Sequence, residues 1–512
     1  GGITGLSTAY YLVKRVPNAK VTLFESNSHL GGWLQTKFFD VANGKVMFEQ
    51  GPRTLRGSIP NGLLAHQLAR LLPIYYQLSL QNEIRAVSQS SKALRSRFIY
   101  YPDHLFQVGG AITLPELIQA FLNEPVLTGI LPALFRDYFW APKRSADVGD
   151  ESMGDFFSRR GNEHIVNNIL SAVMHGIYAG DIYKLSMKSI MPWIWDAELR
   201  HGGFVREYMD SRRARSRTIT ASDGQLFEVL KTKELQLPME SRSTVPPVWS
   251  FKKGISQLSD AIQFAIERSP NVQIVRSTDV LDVQQSTSEQ AKIEVLIHDK
   301  LRNQKDKKVF TTAISTVASG SALNLGKHIP ELNVPAVTVM VVNLYYSSLS
   351  VLPVSGFGYL IPRSIPFEQN PECALGVIFD SDIIPGQDTV LGTRVTVMIG
   401  GHWWDDWPSY PDEEQGARMA KNVLARHLNI TEEPELVNAS LQKNCIPQYY
   451  VGHPIRMKKA DDALRRKFKG AVKVAGNSYR GVGVNDCIRS AYDIVDGIAS
   501  GKEETTGLED FQ

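Results

Sequence analysis

Apolar and polar positions follow two rhythms along this chain, and the rhythm changes several times. Over residues 5–14 apolar side chains recur at helical spacing, and over 20–25 they run together as "KVTLFE", which predicts a helix followed by a buried strand. "KVMFEQGPRTLR" predicts a second strand that breaks at a tight Gly51-Pro52 turn, with Arg53 and Arg56 beyond it. Between residues 98 and 216 the pattern is helical, in "LPELIQAFL", "NEHIVNNILSAVMHGIYAG" and "SIMPWIWDAELR". Residues 210–247 are polar and weakly periodic, which predicts a partly disordered loop or insertion with a solvated basic cluster from Arg212 to Arg217. Mixed character returns at residue 248. "SFKKGISQLSDAIQFAI" leads a helix, "NVQIVRSTDVLDVQQ" reads as paired strands, and "KIEVLIHD" and "VFTTAISTV" add more. Residues 334–402 are strand-rich. "AVKVAGNSYRGVGVNDCIRSAYDIVDGI" then predicts a strand, a glycine-bearing turn and a helix beginning near Asn485, and the polar tail from Lys502 is expected to fray. The order is α/β, helical, strand-rich, α/β, with no internal repeat.

Composition narrows this picture. A chain of 512 residues exceeds a single core and predicts roughly two or three domains. A net charge of +3 gives no signal for a nucleic-acid partner. Cys373, Cys445 and Cys487 are spread too widely for a disulfide framework or a zinc site, and read as small buried apolar residues. No run of about 18 uncharged apolar residues offers a bilayer-spanning helix.

Chemistry enters at the first residues. In "GGITGLSTAYYL", Gly2 and Gly5 occupy the last two glycine positions of a G-x-G-x-x-G loop. The first glycine and the strand before it are absent, so the sequence reads as a fragment starting inside a nucleotide loop. Glu25 ends the next strand, where that fingerprint places a ribose-binding acid. Glycines admit a pyrophosphate, the helix N-terminus offers N–H donors and positive dipole, and the acid accepts from ribose hydroxyls. Two stretches join aromatics to positive charge: "LFRDYFWAPKR", with Tyr138, Phe139 and Trp140, and "MPWIWDAELR", with Trp193 and Trp195. On pattern alone these read first as core aromatics with solvated charges, and a membrane surface is the alternative.

The motifs "GGITGL", "LFES", "LGGWLQT", "FEQGPRTLR", "RFIYY", "GIYAGDIYKLS", "VVNLYY", "GFGYLIP", "LGVIFDS", "RVTVMIGG", "KNCIPQYYVGH" and "AGNSYRGVGVNDCI" occur in that order. Through them the chain resembles the protoporphyrinogen oxidase family of flavin enzymes, most closely its eukaryotic mitochondrial branch, over nearly its whole length. The first two are shared with many flavin amine oxidases; "GIYAGD…LS" and "NCIPQY…GH" are far more specific.

The resemblance implies an α/β fold: a Rossmann-like FAD-binding domain, a mixed-sheet substrate domain and an inserted helical membrane-binding domain. The implied boundaries are cofactor segments at 1–96, 248–300 and 437–512, a helical domain at 97–216, an insertion at 217–247 and a substrate domain at 301–436. The implied reaction is oxygen-dependent oxidation of protoporphyrinogen IX to protoporphyrin IX, with hydride passing to non-covalent FAD and hydrogen peroxide released. Carried over for FAD are Gly2, Gly5, Glu25, Trp33, Gly51, Pro52, Arg53, Thr54, Val280, Asn477, Val482, Gly483 and Val484. Carried over for the substrate are Arg97, as a propionate partner, and Gly358, Leu360, Ile378 and Met398, as cavity walls. No catalytic base is identified, and His175 and His453 read as structural. The resemblance further implies a one-leaflet membrane surface, a homodimer, ferrochelatase as a partner, and residence at the inner mitochondrial membrane on its intermembrane-space side. Two rivals stay open. One is another flavin amine oxidase, although neither a flavin-tethering cysteine motif nor a flavin-side lysine motif is found. The other is a flavin-free binding protein of the same fold, like the Rab GDP-dissociation inhibitors, which a yellow purified protein would exclude.

Overall fold

The computed structural model describes all residues except 58–59, 76–77, 88–90, 110–113, 146, 215–220, 231–244, 287–291, 319–324, 503 and 512. One hydrophobic core gathers Leu6 and Tyr10 of helix Ile3–Arg15, Leu64 and Leu68 of Pro60–Leu71, Leu258 and Ile262 of Ser256–Glu267, and Ile488 and Val495 of Val484–Ala499. Start, middle and end of the chain therefore share one interior. Around it lie parallel strand pairs, Val21–Phe24 with Val272–Val275 and Ala313–Ser315 with Val472–Val474. Parallel pairs buried by helices suit the unbroken apolar runs that marked these strands.

A seven-stranded sheet forms the second part. Its order is Leu436–Pro447, Ala336–Tyr346, Thr393–Gly400, Ala374–Ile378, Gly358–Leu360, Arg97–Tyr100 and Leu105–Val108. Every neighbouring pair is antiparallel except Gly358–Leu360 against Arg97–Tyr100. One face packs Val342, Val397, Tyr359 and Tyr100 against helix Glu413–Leu428. The third part is a set of short helices between Leu114 and Val229.

Several sequence-based boundaries shift. Residues 97–108 open the stretch expected to be helical, yet they form a hairpin of the seven-stranded sheet, because "RFIY" pairs with the distant strand at Gly358. Strand Leu436–Pro447, expected mostly on the cofactor side, also belongs to this sheet, and residues 304–315 lie with the cofactor-side strands instead. "NVQIV" and "TDVLDVQQ" do not pair with each other; the first joins Val21–Phe24 and the second joins Ile293–Asp299. Helix Phe204–Ala214 runs into the stretch 210–247 read as a loop and helix Ala221–Val229 lies within it, while residues 215–220 and 231–244 of that stretch lie outside the described set. The tail is packed rather than frayed. Gly507, at φ +97°, turns the chain so that Leu508 is fully buried, and Thr506 hydrogen-bonds buried Asp461.

Candidate active site

Close backbone approaches explain the glycines at the first turn. The Gly1 carbonyl accepts from Gly31 N–H at 2.9 Å, and a Cβ on Gly32 would lie 3.0 Å from the Gly2 Cα. At Gly5 a Cβ would meet Thr316 Oγ1 at 2.8 Å, so the first helix rests directly on the turn after Ala313–Ser315. Glu25 sits at this junction. Its Oε2 is 2.9 Å from the Gly1 amino group, and its Oε1 accepts from Asn27 N–H at 2.7 Å. Thr278 N–H donates to the Glu25 carbonyl at 2.9 Å, which places Val280 two residues from the same corner, its side chain half-buried against the core.

A second cluster forms around the Gly51-Pro52 turn. A Cβ on Gly51 would lie 3.0 Å from the Trp33 carbonyl, while the Trp33 ring is exposed. Gln442 Nε2 donates to the Gln50 carbonyl at 3.1 Å, so the turn lies against the seven-stranded sheet. Gln50 is buried, and neither end of its side-chain amide finds a partner among the described residues. Helix Val484–Ala499 aims its N-terminus at the same segment. Asn485 Nδ2 donates to the Arg56 carbonyl at 2.8 Å, and Asn61 Nδ2 donates to Asp486 Oδ1 at 2.7 Å. Gly483 caps this helix, its N–H donating to the Asp486 carboxylate at 3.1 Å, and Val482 packs against the core beside it. Asn477 is held from beneath, where the Tyr449 hydroxyl donates to its carbonyl at 2.5 Å. Gly476 abuts Thr4 of the first helix, which ties this turn back to the first cluster.

The pleat of the seven-stranded sheet groups the candidate substrate residues. Gly358 pairs with Ile378, Ile378 with Thr396, Gly376 with Leu360 and with Met398, and Leu360 with Ile99, the residue two beyond Arg97. Residues opposite one another share a face, and so do residues two apart. Arg97, Gly358, Leu360, Ile378 and Met398 therefore lie on one face, opposite the face packed on Glu413–Leu428. Gly358 has φ +128°, and a Cβ there would lie 2.1 Å from the Val377 carbonyl, so the position requires glycine. Leu360 packs over Gly176 of helix Ser171–Tyr178, and Met398 packs with Ala179 and Leu375.

A polar network joins this face to the Gly51 turn. Arg53 Nη1 pairs with Asp380 Oδ1 at 2.6 Å, and Thr396 Oγ1 lies 2.6 Å from Asp380 Oδ2. Arg394 pairs with Asp388 at 2.6 Å and donates to the Met47 carbonyl at 2.7 Å. Glu49 accepts from Thr36 Oγ1 and Ile255 N–H, each at 2.7 Å, and burial pushes its pKa up to about 7. With Thr54, Glu49, Arg53, Asp380 and Arg394 line one small cavity. Sequence reasoning missed Asp380, Thr396 and Arg394. Their signals were a lone acid in "LGVIFDS" and a lone cation opening "RVTVMIGG".

The histidines hold structure. His175 Nδ1 lies 2.7 Å from the Ile361 carbonyl, so its N–H donates there and Nε2 accepts from His402 Nε2 at 2.8 Å. Burial pulls the two rings down to about 4 and about 3, which keeps this pair neutral. His453 Nε2 lies 3.1 Å from the Tyr479 carbonyl, supporting the turn that carries Asn477.

A family model described as flavin containing amine oxidoreductase matches residues 3–499. The protoporphyrinogen oxidase of Schizosaccharomyces pombe is 33% identical over 98% of this chain and 97% of its own length. The protoporphyrinogen oxidase of Homo sapiens is 29% identical over 96% and 95%. A crystal structure from Exiguobacterium superposes with a TM-score of 0.70 at 18% identity, covering 98% of this chain and 97% of that one, which supports the fold.

Proposed function

The chain belongs to the flavin-containing amine oxidoreductase family, and from that premise we propose that it is an FAD-dependent oxidoreductase that converts protoporphyrinogen IX to protoporphyrin IX in haem biosynthesis. One observation carries the reading beyond likeness. The Gly51 turn and the face bearing Arg97, Gly358, Leu360, Ile378 and Met398 are joined through Arg53–Asp380 and Gln442–Gln50. A cofactor-binding turn joined to a mainly apolar sheet face suits a tetrapyrrole, which needs broad apolar walls and few polar anchors.

The residues present fit FAD. The close Gly2–Gly32 approach leaves no room for a side chain at Gly32, which keeps the turn open to a pyrophosphate, and the Glu25 carboxylate at the same corner suits ribose hydroxyls. Gln50 keeps a free donor and acceptor beside Gly51, and the first N–H groups of helix Val484–Ala499 have no intrahelical acceptors. Bound FAD supplies two-electron acceptance. The protein's part is position and field. The sheet face orients the macrocycle, Arg97 takes a carboxylate, and the helix N-terminus favours negative charge beside the Gly51 turn. Three two-electron steps are needed, and three molecules of oxygen taken to hydrogen peroxide balance them.

Incubating the FAD-loaded protein with protoporphyrinogen IX should produce porphyrin fluorescence as oxygen falls. No fluorescence above the uncatalysed background would end this reading, and protein that never retains flavin would return it to a binding role.

A membrane surface is the second part of the proposal. Phe135, Phe139 and Trp140 form an exposed aromatic cluster, with ring centroids 4.6–5.4 Å apart, on and just after helix Ile130–Phe139. Leu122, Leu131 and Trp193 are also exposed, whereas Trp195 is buried with the Arg144 guanidinium 3.6 Å over its ring. Among the described residues no helix is long and apolar enough to cross a membrane. Aromatics that lie in a headgroup region account for this arrangement. Replacing Phe135, Phe139 and Trp140 together by serine should release the protein from sedimenting lipid vesicles, with flavin content unchanged. Equal sedimentation of variant and parent would refute the surface.

A further inference from the structure

Arg56 and Arg97 come from distant parts of the chain and converge on one wall. Arg56 lies opposite Val248 in the antiparallel pair of Leu55–Arg56 with Val248–Phe251, so the two side chains share a face. Val248 packs in a cluster with Phe357 and Ile378. The Arg97 guanidinium lies over that same Phe357 ring, 5.6 Å from its centroid. Phe357 and Ile378 are the wall of the candidate substrate face beside Gly358. Among the described residues neither arginine has a carboxylate within ion-pair distance. Asp486, the acid whose charge Arg56 feels, is engaged by Asn61 and by Gly483 N–H. Burial, and then the positive charge of Arg56, lower the Arg97 pKa.

Both side chains are exposed at this edge of the face and neither is engaged by an ion pair among the described residues, so each guanidinium is open to a carboxylate that a ligand brings. Protoporphyrinogen IX carries two propionates on neighbouring pyrroles. Each matches the planar fork of an arginine, which holds a carboxylate by two parallel hydrogen bonds. We propose that Arg56 and Arg97 form a two-pronged clamp that takes the two propionates of the substrate, one each, with Phe357 as the apolar floor between them. The clamp rests on the proposed function and extends it: it fixes which edge of the macrocycle lies at this end of the sheet and selects for a dicarboxylate. Arg56 also anchors the final helix through its backbone carbonyl, a contact that side-chain substitution leaves in place.

Steady-state kinetics of the FAD-loaded full chain on protoporphyrinogen IX and on its dimethyl ester test this. Parent, Arg56→Gln and Arg97→Gln are compared, with bound flavin and its absorption spectrum recorded for each. On the diacid each variant should raise KM about 10- to 100-fold, the range for losing a hydrogen bond to a charged group. On the diester the variants and the parent should have the same KM, because the group each arginine grips is gone. Arg56→Lys should recover part of the loss. If Arg56→Gln raises KM equally on diacid and diester, or loses flavin or shifts its spectrum, the clamp is wrong and Arg56 serves the cofactor turn. Turnover of neither compound by the parent overturns the proposed function and the clamp with it. Parental turnover with an ester-insensitive Arg56→Gln overturns the clamp alone.

Discussion

Replacing Glu198 by alanine should cost the protein about 3–5 kcal/mol, the range for removing one partner from a buried ion network. Glu198 lies in helix Pro192–His201 with its side chain fully buried. Its oxygens pair with Arg144 at 2.6 Å, Arg159 at 2.8 Å and Arg160 at 2.9 Å. Arg160 also pairs with buried Asp137 at 2.5 Å, and Arg159 with Glu151 at 2.6 Å. Three cations thus meet three anions, and removing Glu198 leaves Arg144 without a carboxylate partner and Arg160 with one. Arg160 is almost fully buried, so water cannot take over.

The consequence is local. Asp137 lies in the same helix as Phe135 and Phe139, so the network holds the element that presents the aromatic cluster. Hydrogen exchange should therefore quicken across Ile130–Phe139 and Pro192–His201 before the cofactor core responds, and vesicle binding should fall while flavin content holds. The pH dependence has a definite sign. Burial alone would raise the Glu198 pKa, but the arginines, Arg159 first, bring it below the ordinary value of 4.5. A carboxyl with a lowered folded pKa stabilises above its unfolded pKa, and that contribution is lost as pH falls through the folded value. The parent should lose helical-region protection in acid, and Glu198→Gln should lack that part of the loss. A variant with parental exchange rates at neutral pH would show that the three arginines are satisfied without Glu198.

The strands were legible where their physics is local. "VVNLYY", "LGVIFDS" and "RVTVMIGG" are β-branched and apolar enough to mark buried strands, and the two-residue pleat does the rest. Once paired, Gly358, Leu360, Ile378 and Met398 have only one face to share. Features set by distant partners were not legible. Nothing within "RFIYY" says that it pairs beside Gly358 rather than opening a helical domain, because that choice depends on a strand far along the chain. Trp193 and Trp195 looked equivalent in sequence. Two residues apart on a helix they point about 200° apart, so one is exposed and the other lies under Arg144. The tail looked polar and free, yet a single glycine at φ +97° is enough to bring Leu508 into the core.

Replacing Asp380 by alanine should have a comparable effect at the site itself. Arg53 is mostly buried, and Asp380 is its carboxylate partner, at 2.6 Å. The other Arg53 terminal nitrogen, Nη2, has no partner among the described residues. Losing Asp380 leaves that cation next to Arg394, whose own carboxylate, Asp388, is already engaged at 2.6 Å. A cost of about 3–5 kcal/mol follows from stranding a buried charge. The Thr396 hydroxyl also loses its carboxylate acceptor, which leaves the start of helix Asp380–Ile383 tied to strand Thr393–Gly400 by the hydrogen bond from Arg394 N–H to Ser381 Oγ at 2.6 Å. Because Arg53 is two residues from Gly51, the turn should loosen, and FAD should dissociate more readily in equilibrium titrations followed by flavin fluorescence. The double variant Arg53→Met, Asp380→Leu separates stability from cofactor binding, since apolar residues of similar volume often replace a buried ion pair without loss. It should melt close to the parent. If it also binds FAD as the parent does, Arg53 acts only as a structural bolt between the turn and the sheet. If it melts like the parent but binds FAD weakly, the guanidinium belongs to the cofactor site. A single Asp380→Ala variant with parental melting and parental FAD affinity would mean that Arg53 needs no carboxylate, and the junction between turn and sheet would have to be held by Gln442 and Arg394 instead.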